Sequence, residues 1–234
     1  MQASLTAVFA ALHAVLYFIS FGLWRNWGIY LESIEGIILG PKIGFFAAFL
    51  GSLIARMLRP DTLWMYGIIA EPISVLMAGL LARAKWKPVL LAYAIMLTAY
   101  FIHPFGKALP LWTILDILFA LLLIYPAAKF SRNLFKTDVK RLSIALILVS
   151  FVCIATDSLV RVFLLVPCGL HGLFFGGFEG LYNMFVFAAV DSYIEDLIVV
   201  AVSFLVGVPL MISVSTLKIL DRSQRAVKKK KICE

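Results

Sequence analysis

A chain of 234 residues that is 63% hydrophobic and only 15% charged, with a mean hydropathy of +1.01, departs from the roughly half-apolar, quarter-charged balance of a soluble domain. Its apolar runs are continuous and approach the roughly 20 residues that cross hydrocarbon, which predicts an all-α integral membrane protein, excludes barrel strands and leaves no room for a sizeable soluble domain. The net charge of +8 does not indicate nucleic acid, because the basic residues gather in short loops and at the C-terminus, as cytoplasmic loops do.

The first predicted span, Ala3 to Leu23, follows no basic n-region and reads as a membrane helix rather than a cleaved signal. Ala3, Ala7 and Ala11 share one helical face and Ala10 and Ala14 a neighbouring ridge, the small-residue pattern that lets membrane helices pack closely, inside the chain or against another subunit. His13 lies in the same helix, as a hydrogen-bonded packing residue or a ligand.

Trp24 to Glu32 is too polar to continue the span. It reads as an aromatic belt at the membrane interface or as a substrate-facing loop, with Trp24, Arg25, Asn26, Trp27, Tyr30 and Glu32 supplying stacking surfaces and both signs of charge. Gly36, Gly40 and Gly44 then recur every fourth residue, a bare stripe that another backbone can approach. Pro41 cannot donate to a helix ladder and restricts the residue before it. Two short helices, Gly28 to Gly40 and Ile43 to Leu58, joined by a Gly-Pro-Lys turn at the inner surface, are therefore predicted, with one kinked span as the alternative.

Leu63 to Leu81 returns through the membrane and carries Glu71-Pro72. An acid at that depth is rare unless it faces protein or water, so Glu71 is a site candidate, with helix packing around it as the competing account. Trp86 opens the next span, which ends at His103-Pro104, and Leu109 to Tyr125 follows with Asp116 inside it. Lys129 to Arg141 is the clearest cytoplasmic marker. Ser143 to Val166 holds Asp157 and Arg161, four apart and on one helical face, a structural ion pair or a ligand clamp. Pro167 to Ser192 lacks lysine and arginine, includes Glu179 among phenylalanines, and reads as a re-entrant or interfacial cover. Tyr193 to Leu217 is the last predicted span, interrupted at Gly207-Val208-Pro209, and the basic segment 218–234 reads as a cytoplasmic tail.

This gives one membrane domain, residues 1–217, with six to eight transmembrane helices and short or broken ones around 28–58. Both termini are inside if Trp24 to Leu58 crosses twice, for eight segments; a single crossing gives seven. Cys153, Cys168 and Cys233 are odd in number and lack C-x-x-C spacing, so neither a disulfide framework nor a metal site is predicted.

The alanine ladder of the first helix, the polar loop after it, the run L-E-S-I-E-G-I-I-L-G-P-K-I-G-F-F-A-A-F-L-G-S-L-I from Leu31 to Ile54 and the glycine-proline interruption near the end together resemble the substrate-binding S components of energy-coupling factor transporters. The resemblance implies a subunit of the cell membrane, with no cofactor, that captures a vitamin or similar micronutrient. It also implies docking on a transmembrane coupling protein driven by two ATP-binding cassette ATPases, with Ala3, Ala7 and Ala11 facing that protein and Trp24 to Glu32 lining the pocket. Glu71, Asp157, Arg161 and Glu179 complete the candidate ligand set. Two other readings remain open: a self-sufficient secondary transporter or channel using Glu71, Asp116 and Asp157 as ion sites, and an intramembrane enzyme. H-E-x-x-H, G-x-S-x-G and repeated D-x-x-D patterns are absent from the sequence.

Overall fold

The computed structural model describes residues 2–19, 27–60, 64–132, 134 and 138–232, and every regular element among them is helical. In chain order these are α1 (Gln2–Tyr17), α2 (Ile29–Leu39), α3 (Pro41–Leu58), α4 (Trp64–Leu81), α5 (Trp86–Ile102) and α6 (Pro104–Ala108). A 3₁₀ turn, Leu111–Ile114, then leads into α7 (Leu115–Phe130), followed by α8 (Val139–Leu165), α9 (His171–Phe174) and α10 (Phe178–Ile232). Four segments are long and apolar enough to cross a membrane: Pro41–Leu58, Leu111–Phe130, Val139–Leu165 and Phe178–Val214.

Helix α8 is the axis of the bundle. Its apolar window is 72% buried inside the protein, against 22% for that of α10. Val149, Val152, Cys153 and Ala155 meet a continuous core that includes Ala78 of α4, Tyr93 of α5 and Ile117 and Ala120 of α7. The polar groups of this core are hydrogen-bonded between helices: Tyr93 Oη pairs with Thr156 Oγ1 at 2.9 Å, and Cys153 Sγ donates to the Ser74 carbonyl at 3.5 Å. Such bonds matter because no water is at hand in the core to take over an orphaned group.

The expected break between α2 and α3 is one residue wide. Gly40 takes φ +87°, which ends α2, and Pro41 becomes the first residue of α3, where its missing N–H and fixed φ cost nothing. Helix α2 has 11 residues, about 16 Å of helix against a hydrocarbon layer of roughly 30 Å. The glycine stripe does not run along one helix, because the chain turns at Gly40, where the Arg83 side chain fills the space; of the three glycines, only Gly36 meets the backbone of α4 first. A Cβ on Gly36 would lie 2.4 Å from the Val75 carbonyl and 2.9 Å from the Gly79 nitrogen, so the backbones of α2 and α4 touch.

Three basic corners share one end of the bundle. The Arg83 guanidinium, after α4, occupies the space beside Gly40, and Arg83 Nη1 donates to the Gly79 carbonyl at 3.2 Å. Trp86 stacks edge-on to Tyr125 at 5.6 Å, and Arg141 donates to the Lys129 and Phe130 carbonyls at 3.2 and 3.3 Å.

The C-terminal third departs from expectation. The segment predicted as a re-entrant cover holds the single turn α9 and the first turns of the last helix, which starts at Phe178 rather than Tyr193. The glycines that take positive φ, Gly169 and Gly176, both precede that start, so nothing after Gly177 breaks the helix. Pro209 sits inside α10 instead of interrupting it, and the helix continues to Ile232, through the stretch read as a tail. Pro209 has no N–H to give the carbonyl of Leu205, four residues before it, and the helix carries this single lost bond without a break.

The close approach of α2 to α4 is testable. Gly36→Val, whose Cβ meets backbone, is expected to lower stability by about 1–3 kcal/mol through overpacking. Gly172→Ala, with nothing within 4 Å of the added carbon, is expected to leave the melting temperature in detergent unchanged.

Candidate functional site

Charged side chains within apolar helices have to find each other, and here they meet at one place. Helix α4 delivers Glu71, which is fully buried. Arg56, one turn from the end of α3, donates to both its oxygens, Nη1 to Oε2 at 3.0 Å and Nη2 to Oε1. Ser52, one turn earlier on α3, donates to Oε2 as well. His13 of α1 bridges two acids, its Nε2 3.1 Å from Glu71 Oε2 and its Nδ1 3.3 Å from Glu35 Oε2. From α8, Arg161 holds Asp157 in a bidentate pair at 2.7 and 3.2 Å and reaches to 3.7 Å from Glu71 Oε1. Glu32 accepts from the Ser74 hydroxyl, which itself lies 2.7 Å from the Glu71 carbonyl oxygen.

Local sequence makes room for this network. Gly67, one turn before Glu71, leaves the space that the Arg56 guanidinium fills, since a Cβ there would lie 1.8 Å from it. Gly51 lets α1 approach, facing the Ala10 carbonyl and the His13 side chain. The other face of Arg56 lies over the Tyr17 ring, 4.9 Å from its centroid, a cation–π contact that keeps the guanidinium seated. Glu32 stands in the first turn of α2, where the helix dipole favours a negative group.

Of the predicted ligand residues, Glu32, Glu71, Asp157 and Arg161 are thus brought together from α2, α4 and α8. Trp27 and Tyr30 lie alongside, their rings 4.9 Å apart, in a small cluster with Ile29, Ile154 and Val199; Ile154 is one turn before Asp157. Trp24, Arg25 and Asn26 lie outside the described residues. Glu179 does not join the network: it is exposed in the first turn of α10, next to Phe178, whose ring packs on Phe105. Asp116 is likewise elsewhere, buried in the first turn of α7. Of the predicted docking alanines, Ala7 and Ala11 face outward, while Ala10 and Ala14 are buried; the side chain of Ala3 is outside the described residues.

Sequence reasoning missed Glu35, Ser52 and Ser74 and left His13 without its partners. The available signals were Glu35 three residues after Glu32 and Ser52 four before Arg56, each placing two polar groups on one helical face. Among the described residues no three His, Cys, Asp or Glu side chains converge in a geometry that holds a metal ion. The open groove between α5 and α7, lined by Leu90, Leu97, Phe101 and Leu118, carries no charged group and suits an acyl chain.

Removing one partner from a buried ionic network leaves the others unpaired, at about 3–5 kcal/mol. Glu71→Ala is therefore expected to lower the melting temperature in detergent sharply, and Glu71→Ala with Arg56→Met to recover part of the loss. Equal stability of Glu71→Ala and the parent would show that the network is not closed as described.

No family model matches the chain, and no solved structure matches it. The chain is similar to an uncharacterised protein of Methanocaldococcus jannaschii, 30% identical over 131 residues, which are 55% of this chain and 44% of that protein. It therefore spans less than half the length of this curated relative.

Proposed function

We propose that the chain is a membrane-embedded capture subunit of the energy-coupling factor type, which takes up a vitamin-like micronutrient and hands it to a transmembrane coupling protein with two ATP-binding cassette ATPases. The observation that carries this reading is the convergence of Glu32, Glu71, Asp157 and Arg161, from three helices, beside the Trp27–Tyr30 pair. A few convergent polar groups against apolar and aromatic walls give both affinity and orientation. The outward Ala7 and Ala11 are small residues that no internal contact uses, which suits a sliding face for another membrane helix.

Orientation follows from charge. Lys42, Arg83, Lys85 and Lys87 and the ends of the Lys129–Arg141 loop collect at one end of the bundle, and the positive-inside rule makes that end cytoplasmic. Glu32 at the opposite end of α2 then lies toward the outside, and both termini are cytoplasmic in a multi-pass arrangement of six to eight membrane segments. The secondary-transporter reading draws support from the complete burial of Glu71 and Asp157, as in ion-coupled sites.

Two experiments test the proposal. In cells, Asn26→Cys is expected to react with an impermeant maleimide and Lys42→Cys only after permeabilisation, in a background where the exposed Cys168 and the terminal Cys233 are serine. Reversed labelling places the site on the wrong side and ends the proposal. In proteoliposomes, uptake is expected to need the ATPases, and Ala7→Leu with Ala11→Leu to abolish co-purification of the coupling protein at unchanged melting temperature. Uptake driven by an ion gradient without ATPases establishes the secondary transporter instead.

A further inference from the structure

The buried network contains more acid than base. Glu32, Glu35, Glu71 and Asp157 face two guanidiniums, Arg56 and Arg161, and one imidazole, His13. Both guanidiniums are engaged: Arg56 grips Glu71 with two nitrogens, and Arg161 grips Asp157 with two. Arg56 Nε is buried without an acceptor, but it lies on a guanidinium already paired with Glu71, whereas the acids outnumber the bases. Glu32 Oε2 takes the Ser74 hydroxyl and Glu35 Oε2 faces His13, while Glu32 Oε1 and Glu35 Oε1 are buried with no hydrogen-bond donor. An acceptor of this kind, shut away from water, is costly to leave unmet. Glu32 and Glu35 are three residues apart, so both belong to one face of α2.

We infer that this face of α2 takes the positively charged, N–H-bearing group of the captured molecule, which makes that molecule an organic cation; the inference rests on the capture reading above. A carboxylate or phosphate group would find only the single Nε of Arg56 idle, on a guanidinium already paired with Glu71, and would add to the surplus of acid. An ammonium or amidinium group instead supplies the donors that the two idle oxygens lack and balances the charge. The Trp27–Tyr30 pair adds ring faces that attract a cation. Arg161 is the least buried member, its side chain 24% exposed against 4% or less for the others.

The test is binding to the purified full chain in detergent, by calorimetry and thermal shift. The cationic probes are agmatine, tyramine and thiamine, the anionic probes biotin, nicotinate and 4-hydroxyphenylacetate, and sodium chloride is titrated separately. At least one organic cation is expected to bind about ten-fold or more tighter than every anion, and Glu32→Gln and Glu35→Gln each to weaken it about ten-fold or more, as expected for losing one side of a buried charge pair. Each variant is to remain monodisperse with a melting temperature no lower than the parent, so that weakened binding is not misfolding. Preference for an anion, binding unmoved by both substitutions, response to sodium alone, or silence from all three cations overturns the inference. Co-purification with the ATPases together with anion preference removes this inference and leaves the capture reading. Cation binding by a chain that never associates with ATPases removes the coupling and leaves the site.

Discussion

Glu71 is the constraint around which the helices are placed. A carboxylate moved from water into a protein core loses several kcal/mol of solvation, and only close, well-aimed partners offset that. Those partners arrive from three other helices, His13 from α1, Ser52 and Arg56 from α3 and Arg161 from α8. A slip of any one helix by a turn, about 5.4 Å, would take its donor out of hydrogen-bond range. The network therefore fixes register where the apolar contacts around it, being non-directional, do not. Close approach has to precede pairing, and it is supplied by Gly36, Gly51 and Gly67, each at a point where a side chain would collide with the neighbouring element.

Features with a local cause were legible in the sequence. The α2–α3 corner could be read because glycine and proline act on their own backbone: Gly40 takes the positive φ and Pro41 the first helical position. Glu71, Asp157 and Arg161 stood out because charge within an apolar run is expensive and needs a reason. What could not be read is who answers whom. Nothing in α1 says that His13 will meet acids 22 and 58 residues away, because that depends on how three helices pack. The same limit misled the reading of the last third. On local cost alone Pro209 reads as a break and the glycines near 177 as a loop reaching to Tyr193, but a long apolar helix absorbs one proline, and the chain turns helical as soon as the positive-φ glycines end.

Helix α1 illustrates how one pattern serves two faces. Its alanines form two neighbouring ridges in the sequence, and the bundle gives the two different surroundings. Ala10 and Ala14 are buried on the side that carries His13, against Gly51 and Ala55 of α3, and Ala7 and Ala11 are left outward. The inward alanines are accounted for by packing: they bring His13 within reach of Glu35 and Glu71. The outward pair is exposed, and its small side chains leave that face of α1 smooth.

The shortness of α2 ties site and orientation together. At 11 residues it carries Glu32 in its first turn and ends at the corner beside Arg83, so one small element has an acidic end in the network and a basic neighbour at the other. A longer helix would bury Glu32 deeper or push the corner out of reach of α4, whose Gly79 packs directly on Pro41. With α2 pinned at that corner, the acidic surplus is held at the end away from Lys42, Arg83 and the Lys129–Arg141 loop. The bundle thus opposes a positive face to a negative interior site. This separation places the surplus acid far enough from those basic residues that the buried guanidiniums of Arg56 and Arg161, and not the loops, set its local charge.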